Sequence, residues 1–205
     1  MKNINLNMAA TAIMTAEKSQ IYTIEEYFEL EKHSEIRHEF VNGKLIAMPG
    51  ESVVANRIAD NCGFNLRLHL NKKGYDTTRH DVRTMIRNGK LYRYPDVSVA
   101  KRAEITQTHA ITKPELLIEV TSENSSQTDH EDKVREYTAL SSLQYYMIVS
   151  QDEMLVEMYS RDEFGWRFDV YSEVDDVIPL HHFGCHLAMV DIYENVVFAE
   201  NKSDD

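Results

Sequence analysis

Hydrophobic positions along the chain switch between two periods, and each switch marks an element. Residues 22–33 carry a helix signal. Thr23-Ile24-Glu25-Glu26 is a capping box, and Tyr22 is placed to staple against Tyr27 across it. Residues 38–41 and 44–48 then read as a hairpin around Asn42-Gly43, the dipeptide a type I′ turn prefers. From Glu51 to Leu70, apolar residues at Val54, Ile58, Cys62, Leu66 and Leu70 follow helical spacing. A β region opens at Gly74, with residues 81–86 and 90–94 flanking Asn88-Gly89 as a second hairpin. Residues 95–100 continue as a strand. Residues 129–140 are helical, with Val134, Tyr137 and Leu140 about one turn apart. Residues 143–149 form a β run, 154–160 pair with 166–171, and the remainder to Phe198 gives a last strand or short helix.

One stretch stands apart. Pro114-Glu115-Leu116-Leu117-Ile118-Glu119-Val120 reads as a strand buried on both faces, yet Glu119 interrupts it. A carboxylate there costs several kcal/mol unless it is paired, protonated or bound to a metal. The chain turns polar straight afterwards and leads to a helix, and open α/β sheets place chemistry at such strand ends. Asp96, just after Pro95, is a second acid offered by an apolar strand. If the two strands are neighbours, both carboxylates reach one point. Hard oxygen ligands of this kind suit Mg²⁺ or Mn²⁺, which activate water and stabilise a phosphoryl transition state. Lys133 lies on the border of the helix face carrying Val134 and Tyr137, so its stem can run toward the strand end.

Composition narrows the class. The 205 residues fit one domain, and 42% hydrophobic with 27% charged residues is the balance of a globular chain. We expect a leader over 1–20, a single domain over 21–198 and an acidic tail over 199–205. The apolar patch from Met8 to Met14 is too short and Thr-interrupted for a good signal peptide, and no apolar run reaches membrane-spanning length. Two cysteines, Cys62 and Cys185, make no disulfide framework, so a reducing cytoplasm is the expected location. The net charge of −12 argues against broad phosphate binding; a nucleic-acid role needs local basic patches or metal ions.

Three runs together carry a resemblance: Pro95-Asp96, then Pro114 to Ser122, then Asp129, Lys133 and Tyr137 at four-residue spacing. With Glu39-Phe40-Val41-Asn42-Gly43-Lys44-Leu45, Arg57-Ile58 and Leu143 to Val149, they resemble the Uma2 family (DUF820) of the PD-(D/E)xK, restriction-endonuclease-like superfamily. The similarity covers about residues 22–198. It implies an α/β fold: a mixed β-sheet core flanked by helices, with additional hairpins. It also implies a metal-dependent endonuclease acting on DNA, with Asp96 and Glu119 as ligands to Mg²⁺ (or Mn²⁺). The superfamily lysine usually follows the Glu by two residues, where this chain has Thr121; in this family it sits on the next helix, where Lys133 matches. Glu39 adds a third acid near the metal. The chain departs from the family at Ala55, at Ser122-Glu123 and at Ser150, positions that bear on substrate positioning.

Blander readings stand beside these. Asp96 alone suits a strand-end residue bonding nearby backbone, and Asp129 with Lys133 suits a solvated pair worth ~0.3–0.5 kcal/mol. His181, His182 and His186 read as surface histidines, and Tyr145, Tyr146 and Trp166 as core aromatics rather than base-stacking platforms. Lys72, Lys73, Arg79, Arg83, Arg87, Lys90 and Arg93 form the densest basic region; around the second hairpin it is either a DNA-backbone contact or an ordinary solvated hairpin. The rival to a nuclease is a non-catalytic interaction module that keeps the fold, as a homodimer or partner-binding unit. A hydrolase of another phosphate ester is the third reading.

Overall fold

Local signals set most element boundaries. The Thr23 hydroxyl accepts from the Glu26 backbone N–H while the Glu26 carboxylate accepts from the Thr23 N–H, so the first helix starts where its capping box closes. Asn42 and Gly43 both have positive φ, 50° and 90°, as a type I′ turn requires. A computed structural model describes residues 20–48, 50–87, 89–122 and 127–198, with side chains in the last segment from residue 130 on. The expected leader, but for its last residue, and the expected acidic tail lie outside the described residues, as does Asn88.

In chain order the elements are α1 (Ile24–His33), β1 (His38–Val41), β2 (Lys44–Ala47), α2 (Val53–Leu70), β3 (Tyr75–Arg79), β4 (Arg83–Arg87), β5 (Leu91–Arg93), β6 (Val97–Lys101), β7 (Ala110–Ile111), β8 (Leu116–Thr121), α3 (Gln127–Thr138), β9 (Tyr145–Ser150), β10 (Val156–Asp162), β11 (Gly165–Tyr171), β12 (Val177–Leu180), β13 (Cys185–Ala188) and α4 (Met189–Ile192). Six strands form the central mixed sheet in the order β11-β10-β9-β8-β6-β3. In it β8 runs parallel to β9 and antiparallel to β6. Five others form a second sheet, β2-β1-β5-β4-β7, and β12 pairs with β13 alone.

The sheet is covered on both faces, which explains the near-continuous apolar character of β8 and β9. Ile58, Cys62, Leu66 and Leu70 of α2 pack on one face against Val97, Val99, Leu116, Ile118 and Met147. Tyr137 of α3, with Ile86 and Leu91 of the second sheet, packs on the other against Leu117, Tyr146 and Ile148. Tyr27 of α1 closes a third cluster with Phe40 and Tyr92, and Tyr22 packs against it as the staple predicts.

Several boundaries differ from the sequence reading: α3, expected over 129–140, spans Gln127–Thr138, and β7 lies where the sequence reads as a loop. Helix α2 begins at Val53 because the Ser52 hydroxyl accepts from the Ala55 N–H, which leaves Glu51 outside the helix. The C-terminal region holds a hairpin as well as a short helix. Its four-residue strands are too brief to show a period, and Pro179 inside β12 argues against a strand on sequence grounds.

Glu115 ties the start of β8 to its surroundings. Its buried carboxylate takes Lys101 Nζ at 2.9 Å and His182 Nε2 at 2.7 Å. Burial pushes this carboxyl up, but the Lys101 and His182 contacts outweigh it and hold it below the usual range. A lowered folded pKa gives stability that is present above the unfolded value and lost as pH falls through the folded one. Glu115→Gln is therefore expected to cost about 1–2 kcal/mol at pH 7, with the difference from wild type vanishing toward pH 3. Urea denaturation at the two pH values checks this.

Candidate active site

The register of the central sheet brings the two predicted acids together. Val97 pairs with Ile118 and Ser98 with Leu117, so Asp96, just before β6, and Glu119, one residue past Ile118, lie at the same end of the β6–β8 ladder. Glu119 meets α3, whereas the Asp96 charge is also felt at the buried Cys62 of α2 on the opposite face. Asp96 Oδ2 accepts from the Val120 backbone N–H at 2.6 Å, which pins its side chain beside Glu119.

Glu119 is 5% exposed, and α3 supplies two close partners. Lys133 Nζ donates to Oε2 at 2.9 Å, and the Tyr137 hydroxyl donates to Oε1 at 2.6 Å. Lys133 and Tyr137 are four residues apart, which is why one helix face aims both at one carboxylate. Lys133, the residue the resemblance matches to the superfamily lysine, is thus bonded to Glu119. The Asp129 side chain, expected as a solvated partner of Lys133, lies outside the described residues.

Tyr137 enters the sequence reading as a helix marker and as part of the family resemblance, without a role at the site. It is fully buried, sits edge-on to Tyr146 at 4.9 Å, and has its phenol held well above the ordinary range by burial and then by the Glu119 charge. Tyr137→Phe keeps that packing and leaves one Glu119 oxygen without its donor. The expected cost is about 1–3 kcal/mol in urea denaturation.

Charge at Asp96 is unbalanced. Burial first, then Glu119 and Glu51, push its carboxyl up to about 8, against the opposing Val120 N–H and the Lys133 charge. The Glu51 and His80 neighbours were not anticipated. One ligand atom each from Glu51, His80 and Asp96 lie within 4.8 Å of one another, with His80 Nδ1 2.9 Å from Glu51 Oε1 and 3.9 Å from Asp96 Oδ1. The three meet only through tertiary contacts. A positive φ of 48° at His80 marks the position, and no sequence motif does.

Glu39 lies at the inner end of the same acid system. Its carboxyl is raised by burial and by Glu119, and lowered by the Lys133 and Arg93 charges. Arg93 Nη1 donates to Glu39 Oε2 at 2.5 Å, while its Nε and Nη2 meet Glu136 at 2.9 and 3.2 Å. Arg93 is 3% exposed, so it does not face DNA as a hairpin contact. Arg83 lies over the Phe28 ring at 4.9 Å, Arg79 is paired with Asp60, and Arg87 donates to Asn42. Most of the expected basic patch is thus engaged within the protein. Tyr145 and Tyr146 are buried core residues and His181, His182 and His186 are exposed, as their sequence context implies.

A mixed sheet flanked by helices, with its acid pair on adjacent central strands, is the restriction-endonuclease-like class of α/β fold. A family model for Uma2, described as "Putative restriction endonuclease", matches residues 24–189. The chain belongs to the Uma2 family. It is similar to two proteins of Synechocystis sp. (strain ATCC 27184 / PCC 6803 / Kazusa). "Uncharacterized protein sll1609" is 30% identical over 167 residues, covering 80% of this chain and 88% of that one. "Uncharacterized protein slr1290" is 28% identical over 175 residues, covering 85% and 92%. A crystal structure from Anabaena variabilis ATCC 29413, of "a putative nuclease belonging to DUF820", shares the fold. Its TM-score is 0.70 at 20% identity, over 85% of this chain and 99% of that one. No helix of the described residues is long and apolar enough to cross a membrane.

Proposed function

We propose that the protein is a divalent-metal-dependent endonuclease that hydrolyses DNA phosphodiester bonds, with Asp96 and Glu119 holding Mg²⁺ or Mn²⁺. The observation that carries this reading is the convergence of Asp96 and Glu119 at one end of the β6–β8 ladder, where Asp96 Oδ2 accepts from the Val120 N–H at 2.6 Å and Lys133 Nζ lies 2.9 Å from Glu119. The donor set fits such an ion. Carboxylate oxygens dominate it, and burial, then the Glu119 charge, raise the Asp96 carboxyl, a cost that a bound cation would offset. When bound, the ion supplies the Lewis acidity that generates a nucleophile from water and offsets charge on the phosphoryl oxygens.

The chain's own residues do the rest. Tyr137 and the Val120 N–H fix the two carboxylates, so they need little reorganisation to act. Lys133 brings a cation next to Glu119, where it would orient the attacking water or meet charge developing on the phosphoryl oxygens. Glu39, clamped by Arg93, supports a bound water or a second ion at the inner wall. A recess lined by Glu51, His80, Asn56, Arg37 and Met48 opens beside the cluster; Arg37 in it is part-exposed and sits 3.4 Å from the exposed Asp81, a pair that a DNA phosphate would have to displace. The products are a phosphate monoester end and a free hydroxyl end.

Cleavage of plasmid DNA in Mg²⁺ or Mn²⁺ tests the reading, and equal cleavage by wild type and Glu119→Gln would sink it. The non-catalytic interaction module makes the opposite forecast: calorimetry would then show no Mn²⁺ binding that depends on Asp96.

A further inference from the structure

We infer that His80 and Glu51 complete the cation site at Asp96, so that the ion takes an imidazole nitrogen and the site favours Mn²⁺ over Mg²⁺. The inference rests on the metal-dependent reading above and specifies its chemistry. Three separate segments converge here. Glu51 lies just before α2, freed from the helix by the Ser52 cap. His80 lies in the β3–β4 connection and Asp96 immediately before β6. Their nearest ligand atoms fit within 4.8 Å, close enough for one ion to touch all three.

The backbone holds the imidazole in place. The His80 N–H donates to the Asp96 carbonyl oxygen at 3.2 Å, which ties the loop to the start of β6. His80 also sits at φ 48°, in the left-handed region that few side-chain-bearing residues occupy and that often marks a constrained site. Behind the ring, Asn56 Nδ2 lies 3.5 Å from His80 Nε2. The amide can turn over to present its oxygen, since its two ends are nearly isosteric. Asn56 then accepts from Nε2–H and leaves the Nδ1 lone pair for the ion, the arrangement that usually orients a ligating histidine. Glu51 and His80 line the recess that opens to solvent, which gives an ion a way in.

The chemical consequence is selectivity. All-oxygen sites serve Mg²⁺ and Ca²⁺ well, whereas an imidazole nitrogen favours the first-row transition ions. A site of carboxylates plus one imidazole binds Mn²⁺ more tightly than Mg²⁺.

Electron spin echo envelope spectroscopy of the full-length protein loaded with Mn²⁺ tests this without reference to activity. The wild-type echo is expected to carry ¹⁴N modulation from a coordinated imidazole. His80→Asn, whose side chain also tolerates the left-handed backbone, is expected to lose it. Its Mn²⁺ dissociation constant is expected to rise about tenfold or more, with a smaller change for Mg²⁺ read by displacement. Glu51→Gln is expected to weaken Mn²⁺ while keeping the modulation. Modulation that survives in His80→Asn, or Mn²⁺ bound through Asp96 with no modulation, overturns the histidine ligand and leaves the metal-dependent reading standing. Absence of any Mn²⁺ binding overturns both.

Discussion

Glu119→Gln is expected to lower plasmid cleavage in Mg²⁺ or Mn²⁺ by about 10²- to 10⁴-fold, because several kcal/mol of transition-state stabilisation depend on this carboxylate. The substitution preserves volume, and a glutamine oxygen can still accept from the Tyr137 hydroxyl, so the helix and strand stay joined. What it removes is the charge. The amide is a poor ligand for a hard cation, and it no longer forms an ion pair with Lys133. Wild type and variant are expected to melt within a few degrees of each other, which separates lost chemistry from lost fold. Mn²⁺ affinity measured by calorimetry is expected to fall with activity. Loss of cleavage with unchanged Mn²⁺ binding would assign Glu119 to a step other than holding the ion.

The half of the site that could be read from the sequence is the half carried by local pattern. Glu119 announces itself as an acid inside an apolar strand. Asp96 does so after a proline at a strand start, and Lys133 by its place on a helix face. Each statement needs only a few neighbouring residues. The acid pair itself depended on one unknown, whether β6 and β8 are adjacent, and the family resemblance supplied that expectation. Glu51 and His80 could not be found this way. Glu51 falls within a helical period and leaves the helix only because Ser52 caps it, and His80 meets Asp96 through a backbone hydrogen bond between distant loops.

Arg93 shows the same limit from the other side. In Leu91-Tyr92-Arg93-Tyr94 all four residues are buried, so no alternation distinguishes an inward arginine from an outward one. On composition it joins a basic patch; in the fold it is the centre of an ionic triad. The consequence for DNA binding is concrete. A chain of net charge −12 has few spare cations; Arg93 is buried in its ion pairs, and Arg79, though exposed, is paired with Asp60. On the proposed nuclease reading, recognition of DNA would rest largely on the ion at the acids, so affinity for DNA is expected to depend steeply on divalent metal.

Arg93→Ala is expected to destabilise the fold by about 3–5 kcal/mol, the usual result of removing one partner from a buried ion pair. For a domain of this size that lowers the melting temperature by roughly 6–20 °C. The cause is the pair of acids left behind. Glu39 is 7% exposed and loses the guanidinium at 2.5 Å, and Glu136 loses a two-pronged contact. The pH dependence follows from Glu39. Its carboxyl is already raised by burial, and removing Arg93 takes away one of the two charges that oppose that rise. A raised folded pKa gives stability that is full below the unfolded value of about 4.3 and is lost as pH rises through the folded one. The variant's deficit is therefore expected to be smallest near pH 4 and largest at pH 8, in chemical denaturation at both. Replacing all three partners with apolar groups (Arg93→Met, Glu39→Leu and Glu136→Leu) is expected to recover much of the loss, because it removes the stranded charges too. A deficit under about 1 kcal/mol at pH 8 would mean that water reaches the triad, and that Arg93 is free to act on substrate rather than to hold Glu39.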